Sequence, residues 1–365
     1  MSNGINWKKY LKIAAAILII GAIVWAIYWF FTNNLTAKEI VGSLFPSSEK
    51  NTPDSQEIAA EKFKSLTNTP IFDYWINSKN GSIYYLNEEG QVIKITGDTT
   101  ELINSQPAPK LNKVTASPDG VFAVAKFNYP TYPTFAIFNT NTDTWQPLPV
   151  NTIAAAWSLN SQNIAYVDDK SLKILNLTTK KTQEIIKLTQ KDINLEWHSD
   201  SQILLSTDLG VAVKTLLLNI NTKTLTPFLE ETGLIIKWSD DNQLGIKFNN
   251  ANGSPTTSLI DASGSVLSRL TFVTLPSKCL IQKNKIYCAV PKNIREKMDL
   301  PNDYYKKSVY FDDTLYLIDL ANAGVSELKT ESDIIIDADH LELFNNTLLF
   351  KNRIDEKLYS LQLTK

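Results

Sequence analysis

Few residues in this chain could do chemistry, and their spacing decides of what kind. Cysteine occurs twice, at Cys279 and Cys288, flanking Leu-Ile-Gln-Lys-Asn-Lys-Ile-Tyr. With Lys283-Asn284 at the centre of a hairpin turn, 282 faces 285, 281 faces 286, 280 faces 287 and 279 faces 288. Directly opposed residues of an antiparallel ladder bring their Cβ atoms to ~4.5–5.5 Å, and a non-hydrogen-bonded pair comes close enough to bridge. A disulfide is the expectation, because no further Cys or His stands near to complete a metal site. Histidine occurs only at His198 and His340, and arginine only at Arg269, Arg295 and Arg353. That is thin material for proton transfer or for clamping a phosphate. No GxSxG elbow, phosphate loop or HExxH helix is present. Asp-rich turns such as Ser239-Asp240-Asp241-Asn242 lack the ligand count of a calcium loop. No catalytic residue, cofactor or metal is therefore expected. A net charge of −2 gives no electrostatic case for nucleic acid.

The elements that carry these residues follow from a repeat. Trp75, Trp157, Trp197 and Trp238 share one register, whose other positions are filled by Ala116 and Cys279. The steps between these anchors are 41, 41, 40, 41 and 41 residues. A repeat of roughly 40–45 residues, each with several short strands, is the signature of a β-propeller blade. The third unit is the clearest, with strands expected at 153–157, 162–167, 172–177 and 182–188. A seventh anchor falls at about His340, a step of 61, so roughly twenty extra residues enter between Val290 and Asp312. The reading is all-β: a seven-bladed propeller over 67–365, with an insertion at about 291–311 in blade six. Its last blade shows only three strands, so a segment within 62–71 is expected to close the ring. The tryptophans, equivalent from blade to blade, are expected to fill the wedges between sheets.

The anchor-and-turn pattern reads Ala-Ser-Pro-Asp-Gly at 116, Trp-Ser-Leu-Asn-Ser at 157, Trp-His-Ser-Asp-Ser at 197 and Trp-Ser-Asp-Asp-Asn at 238. It resembles the TolB-type, WD-repeat-like propeller unit, in which Trp-Ser-Pro-Asp-Gly joins the first two strands. The resemblance covers about residues 70–365 and implies fold, because such repeats serve many unrelated roles. Together with the N-terminal segment and Cys…Tyr-Cys-Ala-Val-Pro, the chain is also similar to membrane-anchored bacterial propellers.

That segment, residues 13–31, has no charge and as a helix would span about 28 Å, close to the hydrocarbon thickness. Lys8, Lys9 and Lys12 precede it, which places the tail 1–12 in the cytoplasm and everything after the span outside. Trp25, Tyr28 and Trp29 suit an outer aromatic belt. Residues 32–66 read as a Ser/Pro-containing linker, with a brief helix at most over 57–63.

Elaborated connections appear at 127–133, at 249–255 and in the insertion, all between second and third strands. Loops of one rim on a rigid scaffold are where recognition lives. Tyr129, Tyr132, Tyr304, Tyr305 and Lys306 are accordingly the candidate partner-binding residues. The expectation is a non-catalytic, single-pass propeller outside the cell membrane that binds a protein or an envelope polymer. The alternative is an envelope enzyme, a peptide or glycan hydrolase or lyase, with its site at the channel mouth.

Overall fold

A computed structural model describes residues 60–363, apart from 107, 109, 129–130, 189, 191, 208–211, 296–297, 323 and 331–332. Its strands form seven four-stranded antiparallel sheets, and in blades 1 to 6 the strands run outward from the axis in chain order. Blades 1 to 6 occupy 71–104, 111–147, 154–187, 193–232, 235–269 and 279–327. Blade 7 combines Ala338–Phe344, Thr347–Asn352 and Lys357–Leu363 with an N-terminal outer strand, Ala60–Ser65. The ring is therefore closed by the first strand pairing with the last, Phe63 opposite Leu361 and Ser65 opposite Tyr359. The composition of residues 57–63 predicts linker and a brief helix, but from Ala60 onward they are strand. The ring-closing ladder outweighs the local helical spacing. No helix among the described residues is long and apolar enough to cross a membrane. The span expected at 13–31 lies outside those residues.

The repeat has a local cause. In blades 2, 3 and 5 a serine after the first strand donates from Oγ to a carboxylate or amide oxygen two residues on, at 2.7 Å: Ser117 to Asp119, Ser158 to Asn160, Ser239 to Asp241. The same Oγ accepts the amide five residues on, from Phe122, Asn163 and Leu244. The Asp and Asn residues of these turns thus close the hairpin. Trp75, Trp157, Trp197 and Trp238 are buried, and Trp157 Nε1 donates across the seam to the Thr115 carbonyl at 2.8 Å.

The register changes in the last two blades. Each tryptophan stands at or beside the turn end of its strand, whereas Cys279 begins the Cys279–Gln282 strand and His340 lies mid-strand in Ala338–Phe344. The residues at the turn end there are Gln282, paired with Lys285, and Phe344, paired with Thr347. Two-residue turns, Lys283-Asn284 and Asn345-Asn346, replace the longer serine turns, so equal spacing no longer means equal position. Asn345 and Asn346 supply the positive φ angles, 46° and 65°, that such a turn requires. A second departure is in blade 5. Residues 249–255 are an extended hairpin, Leu244–Ala251 paired with Ser254–Asp261 around Asn252-Gly253, and no long loop stands there.

Candidate functional site on the insertion face

Residues 292–312 are where the propeller departs from its repeat, and the departure is built on charge. Lys278 ends a short 3-10 turn, Pro276–Lys278, and its side chain is fully buried. The ammonium donates to Asp313 Oδ2 at 2.6 Å, to Asp337 Oδ1 at 2.5 Å and to the Ala338 carbonyl at 3.1 Å, which uses all three of its protons. Asp337 Oδ2 accepts from Arg353 Nη1 at 2.6 Å and from the Phe311 amide at 3.1 Å. Arg353 Nη2 donates to the Tyr304 carbonyl at 2.7 Å, and its guanidinium carbon lies 3.6 Å from the centre of the Tyr304 ring. A buried ion costs several kcal/mol unless partnered, and here two cations face two carboxylates, with Asp313 Oδ1 left without a hydrogen-bond partner. Burial pushes the Asp313 carboxyl up to about 6, against the opposing pull of Lys278. Blade 6, blade 7 and the insertion are thereby tied at one point.

The helical turn Asn302–Tyr305 sends neighbouring side chains to opposite sides. Tyr304, expected at the surface, is 1% exposed, stacked on Phe311 and Arg353. Arg353, 49 positions away, draws the ring inward, so Tyr304 is a core residue of the insertion. Tyr305 is 54% exposed, Lys306 is exposed, and Tyr132 is 78% exposed on blade 2. The structure does not bring Tyr132 to the insertion, since blades 1 and 7 stand between them in the ring. Tyr129 lies outside the described residues. What does gather around buried Arg353 is apolar surface from three segments. Exposed Tyr310 has its ring centre 5.0 Å from the guanidinium, exposed Ile354 follows Arg353, and the carbonyl of exposed Ile335 accepts from Asn352 Nδ2 at 3.2 Å.

A second cluster lies on the channel wall. The innermost strand of blade 7 carries a bulge between Asp339 and Glu342. His340 stands in it at φ 52°, the one non-glycine residue of positive φ inside a strand among the described residues. The bulge aims the ring at blade 1, where Nδ1 donates to Asp73 Oδ1 at 2.6 Å, while Nε2 is 3.5 Å from Glu342 Oε1. The Tyr74 hydroxyl donates to the His340 carbonyl at 2.6 Å. Burial by itself lowers this imidazole, but the Asp73 and Glu342 carboxylates outweigh it and push it up to about 10. At neutral pH His340 is thus an imidazolium bracing the seam, with no lone pair to serve as a general base. His198 packs against Trp238, and its Nε2 meets the Ala262 carbonyl at 2.8 Å. On the innermost strand of blade 4, burial pushes Glu196 up to about 7, with Lys113 opposing.

Cys279 and Cys288 form a disulfide and pair directly across the ladder, in the register read from the sequence. The described residues include no group of three His, Cys, Asp or Glu side chains able to hold a metal ion.

The RRP9 WD40-repeat structure has a TM-score of 0.55 at 10% identity, covering 85% of this chain and 100% of that one. An oligogalacturonate lyase in complex with manganese gives 0.55 at 12% identity, covering 86% and 96%. The crystal structure of the tricorn protease gives 0.51 at 11%, covering 86% of this chain, which spans only about a third, 34%, of that protein. The likeness is one of fold. It is that of a TolB- and WD-repeat-like seven-bladed propeller, and it extends to WD40 repeats, a lyase and a protease alike. No protein-family model and no curated protein matches the chain.

Lys278, Asp313, Asp337 and Arg353 are the residues that sequence reasoning missed. Arg353 offered one signal, as one of three arginines, set between two apolar strands.

Proposed function

We propose that this protein is a non-catalytic, membrane-anchored, extracytoplasmic propeller that acts as a protein-binding or scaffolding module, and that the insertion face is its binding face. One observation carries the reading. Ala60 joins the disc opposite Leu363, whose amide donates to Asn346 in the turn between the first two strands of blade 7. The insertion stands on the other face, where Lys307 pairs with Glu356 in the turn between the second and third strands. An anchor at 13–31 therefore leaves the insertion directed away from the bilayer.

The lysines before the apolar segment support the orientation. The Cys279–Cys288 bridge supports an oxidising compartment. Exposed Tyr310, Ile335 and Ile354, set around a buried, charge-braced centre, supply apolar anchors that need little ordering on binding. The protonated state of His340 weighs against a catalytic base in the channel.

A photo-crosslinking amino acid at position 310 of the intact chain, irradiated in whole cells, should yield one discrete adduct. The same group at exposed Val266, beside the turn between the third and fourth strands of blade 5 and so on the opposite face, should yield none. Protease added to intact spheroplasts should digest the propeller. No adduct at 310, or the same adduct at both positions, would contradict the binding face; full protection from protease would contradict the topology.

A further inference from the structure

A cavity of about 380 Å³ opens between blades 7 and 1, away from the insertion. Leu66, Ile83, Phe344 and Leu349 wall it, and Lys64 and Gln362 stand at its rim. Its volume is that of a small-molecule site, and its walls are mostly apolar. Leu66, Ile83 and Phe344 are only partly buried, so the seam leaves apolar side chains uncovered beside the strand that closes the ring. Gly81 shapes the floor of this gap: a Cβ there would lie 2.8 Å from the Phe344 ring.

What can reach the cavity is set by how the chain arrives. Residues 1–59 precede Ala60, and Lys64 of the rim is four residues further along the same strand, about 13 Å at the rise of a β-strand. Upstream of Ala60, the nearest apolar run is Ile40-Val41-Gly42-Ser43-Leu44-Phe45, which carries no charge and stands apart from the apolar segment 13–31. Between it and the disc lie residues 46–59, a polar tether with Pro46 and Pro53. A coil of that length has an end-to-end dimension of ~20 Å, which matches the span required. A tether so matched presents its end at an effective concentration in the mM range, so a modest apolar contact suffices to keep the site filled.

We infer that the chain's own segment 40–45 docks in this inter-blade cavity, Leu44 and Phe45 covering Leu66, Ile83, Phe344 and Leu349. The stalk is then clamped to the edge of the disc, and the disc takes a set orientation on its anchor. This inference stands whether or not the insertion face binds a partner.

The test uses the full chain, in which the two native cysteines are already bridged. Phe45→Cys with Thr347→Cys, at a cavity-lining position, should form an intramolecular disulfide under mild oxidation. Two controls separate docking from mere tethering. Phe45→Cys with Asp98→Cys places the second thiol near Lys64 but outside the lining. Thr52→Cys with Thr347→Cys shortens the tether. Docking predicts that the first pair closes at least ~10-fold faster than either control, and that adding Leu44→Ser removes the advantage. Equal rates, or fastest closure by Thr52→Cys, would overturn the proposal. Unchanged far-ultraviolet circular dichroism of each variant confirms that a slow rate is not a misfolded disc.

Discussion

Two seams of this ring solve the same problem with different chemistry. Between blades 2 and 3 the wedge is filled by Trp157, stacked on Phe122 and tied by one indole hydrogen bond to Thr115. Between blades 6 and 7 it is filled by Lys278, Asp313, Asp337 and Arg353. The apolar seam is non-directional and tolerates small shifts. A buried ion cluster is directional, since each partner must be met in geometry or leave an uncompensated charge. The directional seam lies under the insertion, the largest departure from the repeat. The difference teaches that an apolar wedge suffices between two repeated blades, and that a fully buried ion cluster stands where an added segment must be held in one position.

The comparison breaks most visibly at Lys278. Lys278→Met leaves two buried carboxylates short of a cation and should cost about 3–5 kcal/mol of unfolding free energy in urea titrations. Combining it with Asp313→Leu, which removes one charge of each sign, should cost clearly less than the sum of the single changes. Additive costs would mean that the cluster is not one unit. Next in size is the Cys279→Ala/Cys288→Ala variant, expected near the low end of the ~2–4 kcal/mol range because the bridged loop is short. On the apolar side, Trp157→Phe should cost about 1 kcal/mol for the lost indole hydrogen bond, with no dependence on pH between 5 and 8.

A separate effect, seen only when pH is varied, is the response of His340. Its folded-state pKa, about 10, lies above the ordinary 6.5. The stabilisation is therefore full below about pH 6.5 and is lost as pH rises through about 10. The melting temperature of the native chain should fall across that window, and His340→Gln should flatten the fall. An unchanged slope would remove the imidazolium from the account.

Much of this fold was legible in the sequence because it is local or periodic. The 41-residue step marks the first five blades, and the turn at Lys283-Asn284 sets the Cys279–Cys288 register. The missing strand of blade 7 points to an N-terminal donor. What was not legible depends on partners distant along the chain. Tyr304 looks like an exposed loop tyrosine until Arg353 is folded against it. Lys278 and Asp337, 59 positions apart, look like solvated charges until the insertion covers them. The misplaced anchors at Cys279 and His340 follow from shortened turns, which preserve the count of residues but not the position in the strand. Periodicity finds what is repeated, and the candidate site is the part that is not.

The central claim is that the insertion is a pre-formed face and not a mobile lid. Amide hydrogen exchange on the native full-length chain tests it most directly. The Phe311 amide donates to Asp337, Lys292 to the Asp312 carbonyl, and Tyr304 to the Pro301 carbonyl. The account predicts that Phe311 and Tyr304 exchange as slowly as the strands of blade 6, opening only with the disc. Exchange at the rate of an exposed loop, while the blade 6 strands stay protected, would contradict it.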